Sequence, residues 1–186
     1  MSAARDLPLT GAQEGIWFAQ HLDPANPIYT TGERIDLVGP LAADVLVAAI
    51  RDAVEETEAL HVRFTSVDGE PRQTVVPPGE RAAWSVQRVD LRDETDPEAA
   101  GRAWMDRALA APVDLDRGPL FAQALVRLGE DHHVWFHSYH HVVMDAYGFS
   151  LVARRVAALY AARLAVDEAP ASRAGTLAEL VAADAQ

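Results

Sequence analysis

Residues 137–146 read His-Ser-Tyr-His-His-Val-Val-Met-Asp-Ala and set two adjacent imidazoles, His140 and His141, shortly before the carboxylate of Asp145. This is a constellation suited to acyl transfer, because histidine is the side chain best matched to moving a proton near neutral pH. The residues leading into it alternate in the pleated sense. Val134, Phe136 and Ser138 share one face, while Trp135, His137 and Tyr139 share the other. A helical pattern resumes after Gly148. The two histidines therefore fall at the end of a strand, on a turn before a helix, where rigid elements hold a group that still opens onto a cleft.

Other chemistries fit the same residues less well. Five histidines lie between positions 132 and 141, which raises the question of a metal. Strand neighbours on one face are roughly 7 Å apart and adjacent residues face opposite ways. The chain also has no His-Glu-x-x-His pattern and no cysteine, so no metal is expected. His132 and His133 read as polar residues near a turn. No serine or cysteine sits in a G-x-S-x-G context, so no covalent acyl-enzyme is expected. Thr10 and Gln13 read as a capping box and no more. Of His140 and His141, only one reaches a given cleft, since neighbours at a strand end point apart.

The elements that must position this segment alternate along the chain. The capping box at Thr10 predicts a helix to about His21 with Ile16 and Trp17 toward the core, and Asp23-Pro-Ala-Asn-Pro27 ends it. A strand follows over 33–38, then a helix over 42–58 with Leu46, Ile50 and Val54 on one stripe. Residues 61–67 and 71–76 form a hairpin around Asp68-Gly69. A strand over 84–91 leads to a helix over 97–111, capped by Asp96 with Pro97 in its first turn. Strands over 120–128 and 132–139 pair around Gly129-Glu-Asp131. A final long helix over 149–164 buries Val152, Val156, Leu159 and Tyr160. Strands and helices mixed in this way predict an α+β fold, an α/β two-layer sandwich with a mixed sheet packed against helices. The stretch 167–175 reads as a linker, and a Thr176-x-x-Glu179 box opens a last helix that the chain end cuts.

Composition bounds the function. A length of 186 residues and 49 % hydrophobic content suit one domain with its own core. A formal charge of −12 argues against nucleic acid, which requires a basic stripe. Arg154, Arg155 and Arg163 are the nearest approach to one, and read as ordinary solvated charge. No apolar run reaches the roughly 18 residues of a membrane span, and the first residues lack the apolar core of a signal peptide. With no cysteines, a cytoplasmic protein beginning at Met1 is expected.

The 140–146 segment resembles the H-H-x-x-x-D-G signature of the condensation domains of nonribosomal peptide synthetases, which belong to the chloramphenicol acetyltransferase-like superfamily. His140, His141 and Asp145 match, and Ala146 stands where the family has glycine. Leu7-Pro-Leu-Thr-Gly-Ala-Gln-Glu-Gly-Ile-Trp17 is similar to the family's first motif. Glu58-Ala-Leu-His61-Val-Arg-Phe64 is similar to its second, with His61 where the family has arginine. The resemblance implies residues 1–166 as the amino-terminal lobe of a two-lobed domain, and 167–186 as linker and cut helix toward the second lobe. It implies amide formation between a donor acyl thioester and an acceptor amine. Both would be carried on phosphopantetheine arms of carrier proteins, with no bound cofactor. It assigns His141 as the catalytic group and His140 as structural. Asp145 would form a salt bridge to an arginine of the second lobe. If the turn at Ala146 requires positive φ or close approach of a pantetheine arm, its Cβ strains the turn or blocks the channel, and Gly148 would absorb the strain. The alternatives are a platform that has lost catalysis and a stand-alone coenzyme A-dependent acyltransferase.

Overall fold

The computed structural model describes residues 5–172 and 174–184. The start at Met1 and the chain end at Gln186 lie outside these. Seven strands and five α-helices follow in the order β1 (Arg5–Pro8), α1 (Gly11–Leu22), β2 (Thr30–Val38), α2 (Ala43–Glu56), β3 (Val62–Val67), β4 (Glu70–Val75), β5 (Val86–Asp90), α3 (Pro97–Leu109), β6 (Phe121–Arg127), β7 (His132–His140), α4 (Ala146–Ala165) and α5 (Leu177–Asp184). The fold is α+β, with a mixed sheet packed against helices, as the residue pattern predicts.

The larger sheet runs β2-β7-β6-β5. Its first two pairings are antiparallel and β6 runs parallel to β5, the intervening α3 making the crossover. Both faces are covered, and strand alternation sorts the side chains between them. Ala124, Val126, Val134 and Phe136 meet Met105 and Leu109 of α3. Leu125, Trp135 and Tyr139 meet Phe149, Val152 and Val156 of α4 in a core shared with Leu46, Ile50 and Val54 of α2. Contact with α3 is close: a Cβ on Gly32 of β2 would lie 2.8 Å from Leu109 Cδ2 and 3.0 Å from Phe136 Cε2. A side chain there would require Leu109 and the Phe136 ring to shift.

α2 and α4 are tied by polar bonds as well as packing. The Tyr160 hydroxyl accepts from the Ala42 N–H at 3.1 Å. Arg155 grips Glu56 through two bonds of 2.7 and 2.8 Å, and Arg163 pairs with Asp52. Two of the three arginines singled out in the sequence are thus spent on bracing helices, and only Arg154 projects freely to solvent.

The smaller sheet runs β1-β4-β3. The β3–β4 hairpin turns at Asp68 and Gly69, both at positive φ as a tight hairpin turn requires. β1 is not foreseen from the sequence, because four residues with one proline carry too little periodicity to register. Its strand character comes from pairing with β4. α5 returns to the body of the fold. Leu177 and Val181 are buried, the Leu177 N–H donates to Glu58 at 2.7 Å, and Asp184 accepts from the Gly11 N–H at 2.9 Å. Among the described residues, no helix is long and apolar enough to cross a membrane.

Candidate active site

β7 ends at His140 and α4 begins at Ala146, so the chemistry-bearing residues occupy a short turn between two long elements. The two imidazoles separate as strand alternation requires. His140 is buried at 1 % exposure and His141 is exposed. On the face that His141 continues, the rings of Trp135, His137 and Tyr139 are all buried, and His141 stands at the open end of that row, 6.2 Å from the Tyr139 ring. Its backbone is fixed even though its side chain is free, since the His141 N–H donates to Tyr29 O at 2.7 Å.

His140 is held as a neutral ring. Its Nε2 faces Gln20 Oε1 at 3.0 Å, and its Nδ1 accepts from the Val142 N–H at 3.2 Å. Gln20 Nε2 donates to three carbonyls, of Asp23, Pro24 and Asn26, which leaves its Oε1 as the acceptor. The proton of His140 therefore sits on Nε2. Burial, with the neighbouring His141 adding to it, pushes the His140 pKa down to about 4. A second buried histidine, His137, receives a bond from Gln123, and its ring stacks on Phe149 at 4.7 Å. Burial alone brings its pKa down to about 3.

Asp145 is the N-cap of α4: its Oδ1 accepts from the Gly148 N–H at 2.7 Å. This cap starts the helix three residues before the position that the apolar pattern suggests. It also overturns the strain argument at Ala146. Ala146 is the first helical residue and Gly148 the third, and neither is among the positive-φ residues of the described chain. Gly148 absorbs no strain. Its N–H satisfies the cap, and a Cβ there would lie 3.2 Å from Met144 Cγ.

Two further placements depart from the sequence reading, those of His133 and Gln13. His133 is buried at 8 % exposure rather than lying free beside the turn. His132 bonds Asp36 at 2.8 Å. Gln13 does more than cap. Its Oε1 accepts from the Thr10 N–H, as the capping box requires, but its Nε2 also donates to Gln73 Oε1 at 3.0 Å and to Val142 O at 2.9 Å. Gln20 and Tyr29 escape the sequence reading altogether. The available signal for Gln20 is its spacing: Gln13, Trp17 and Gln20 fall on one helical stripe, and a glutamine on an otherwise buried stripe needs partners. Among the described residues, no group of three or more histidines and carboxylates could hold a metal ion.

Chemically, the turn presents one solvent-facing imidazole on a pinned backbone, flanked by a helix N-terminus and a cap carboxylate. Such a group can accept a proton from an attacking amine or hydrogen-bond to a polar intermediate.

The family model for the condensation domain matches residues 3–176, and the chain belongs to that family. Among curated relatives, isonitrile lipopeptide synthase of Streptomyces coeruleorubidus is 44 % identical over 174 residues, covering 93 % of this chain and 12 % of the relative. Enterobactin synthase component F of Escherichia coli O157:H7 is 29 % identical over 180 residues, covering 96 % and 14 %. The solved starter condensation domain of rhizomide synthetase, in complex with C8-CoA and Leu-SNAC, superposes with a TM-score of 0.90 at 35 % identity. That likeness covers 97 % of this chain and 41 % of the solved one. The chain thus spans less than half of that condensation domain and a small part of the synthetases it matches.

Proposed function

We propose that residues 1–166 form the amino-terminal lobe of an amide-forming condensation domain, with residues 167–186 leading toward a second lobe. In this reading the amine of a carrier-bound aminoacyl group attacks a carrier-bound acyl thioester. The C–N bond forms, the C–S bond breaks, and the thiol of the donor pantetheine arm leaves with a proton. His141 is the group that takes the proton from nitrogen or holds the amine in line. His140, Asp145, Ala146 and Gly148 shape the turn that presents it. The observation that carries this reading is the exposed ring of His141 on a backbone anchored through its N–H, at the open end of a row of buried rings.

The rhizomide starter domain, with an acyl thioester and a leucyl thioester mimic in its complex, supports an acyl donor and an aminoacyl acceptor for this chain. The reading requires no bound cofactor, because the pantetheine arms arrive with the carriers. Much of the rate comes from bringing two tethered groups together, which turns a bimolecular step into an effectively intramolecular one. A cytoplasmic setting agrees with the need for loaded carriers.

The test is amide formation from two loaded carriers, followed by mass spectrometry. In the complete two-lobed domain, His141→Ala is expected to lower the rate about a hundredfold or more, with the 186-residue chain alone as a control that yields no product. An unchanged rate for His141→Ala, or efficient product formation by the 186 residues alone, overturns the reading.

A further inference from the structure

The turn that carries His141 is held largely from α1 and the segment after it, with the His140 N–H also donating to Leu120 O at 2.9 Å. Residues 140, 141 and 142 each bond to α1 or to the loop that follows it. The His140 ring donates to Gln20 at 3.0 Å, the His141 N–H donates to Tyr29 O at 2.7 Å, and Val142 O accepts from Gln13 Nε2 at 2.9 Å. The Val142 N–H closes the turn on itself through His140 Nδ1. The His141 side chain takes no part in this lattice.

Gln20 is the centre of the arrangement. It is buried at 4 % exposure, where an amide is costly unless both of its ends are bonded. Both are. The amide nitrogen gathers the carbonyls of Asp23, Pro24 and Asn26, which fixes the path of the loop into the 3-10 turn Pro27–Tyr29. The oxygen holds the His140 ring. One side chain thereby links the loop that supplies Tyr29 O to the ring that precedes His141. An apolar residue on this stripe would pack the helix equally well, but would fix neither. A fully satisfied buried polar network selects one geometry among several of similar packing energy.

We propose that Gln20, assisted by Gln13, is a positioning residue for His141: α1 sets where the imidazole points by holding the turn on both sides of it. The proposal rests on the reading of His141 as the catalytic group. Neither glutamine touches the reacting atoms, so substitution acts on the chemical step through aim. Displacing a catalytic group by about 1 Å costs up to about a hundredfold in rate.

The test compares Gln20→Met, Gln13→Met, the double variant and His141→Ala in the complete two-lobed domain with both loaded carriers. Gln20→Met is expected to lower kcat about tenfold to a hundredfold while KM for each carrier stays within about twofold, since binding is not what it alters. The double variant is expected to lose little more than the worse single one, because both glutamines act on one turn. Parental kcat for Gln20→Met beside an inactive His141→Ala overturns the positioning role and leaves the functional reading standing. Parental kcat for His141→Ala overturns both. A further measurement needs no variant. Long-range ¹H–¹⁵N correlation of the 186-residue chain is expected to show His140 neutral with its proton on Nε2 from pH 7.5 to 5. A proton on Nδ1, or titration near 6.5, overturns the proposed hold on the turn.

Discussion

At Ala146 a single methyl group stands where the family signature has glycine, and the structure shows what that exchange does. The residue opens α4 directly after the Asp145 cap, with a backbone that any L-residue adopts. Its Cβ costs no strain, and alanine is the better helix former. Ala146→Gly is therefore expected to lower stability by up to about 1 kcal/mol without raising kcat. Thermal melts and the two-carrier assay check the two halves of that statement, and a faster Ala146→Gly enzyme would show instead that the methyl group crowds the substrate. His140, His141 and Asp145 were legible because they match the H-H-x-x-x-D-G signature in register with two similar motifs earlier in the chain. Their partners were not. Gln20 and Tyr29 lie about a hundred residues away in sequence; the β2–β7 pairing, with Thr30 opposite His140, brings Tyr29 to the turn, and the bond from Gln13 to Val142 O ties α1 to it. Local spacing marks Gln20 as a glutamine in need of partners but does not say which residues supply them.

α4 shows how an element departs from its own periodicity. Its apolar stripe suggests a start at Phe149, yet the helix starts at Ala146 because a cap overrides the stripe. Its other end carries a cost. Val166, the C-cap, sits at φ 56° and ψ 42°, and is 94 % exposed. A β-branched residue in the left-handed region is unfavourable by roughly 1–2 kcal/mol, while glycine adopts it freely. Val166→Gly is expected to stabilise the chain by about 1 kcal/mol, since no packing is lost. A melting temperature at or below the parent's would show that this carbonyl-capping geometry does not persist in solution. The long helices and the central strands were readable from period and punctuation. β1 was not, because a four-residue strand takes its identity from its partner β4.

For the molecule as a whole, buried histidines set the response to acid. His137 and His140 have pKa values near 3 and 4 in place of the ordinary 6.5, both driven down by burial. Burial lowers His61 and His133 in the same direction. The folded chain keeps these rings neutral where the unfolded chain protonates them, so the unfolded state binds more protons below about pH 6.5. Stability is complete above that value and falls as pH drops toward 4. Each fully engaged histidine contributes a slope of up to about 1.4 kcal/mol per pH unit. The carboxylate Asp36, held down to about 2 by Arg34 and His132, loses its contribution only below the ordinary carboxylate range. The window from pH 6.5 to 5 thus belongs to the imidazoles. Urea midpoints over that window are expected to fall steadily, and His137→Leu is expected to flatten the slope. A flat profile in the parent would show that these rings are solvated.

The pairing of β2 with β7 also governs when the molecule can assemble. Thr30 lies opposite His140, so the whole intervening chain must be looped out before this ladder closes. Helices and the β3–β4 hairpin form on microsecond scales, whereas such a non-local pairing meets the entropy of a long loop and comes late. During synthesis the N-terminal strand of the ladder leaves the ribosome long before its partner, and until β7 emerges β2 has no neighbour on that side. Tyr29, the anchor of the His141 backbone, waits with it. The turn bearing the proposed catalytic imidazole is accordingly among the last parts of the chain to take shape, and a nascent chain stalled before residue 132 would hold most of the helices and none of the site.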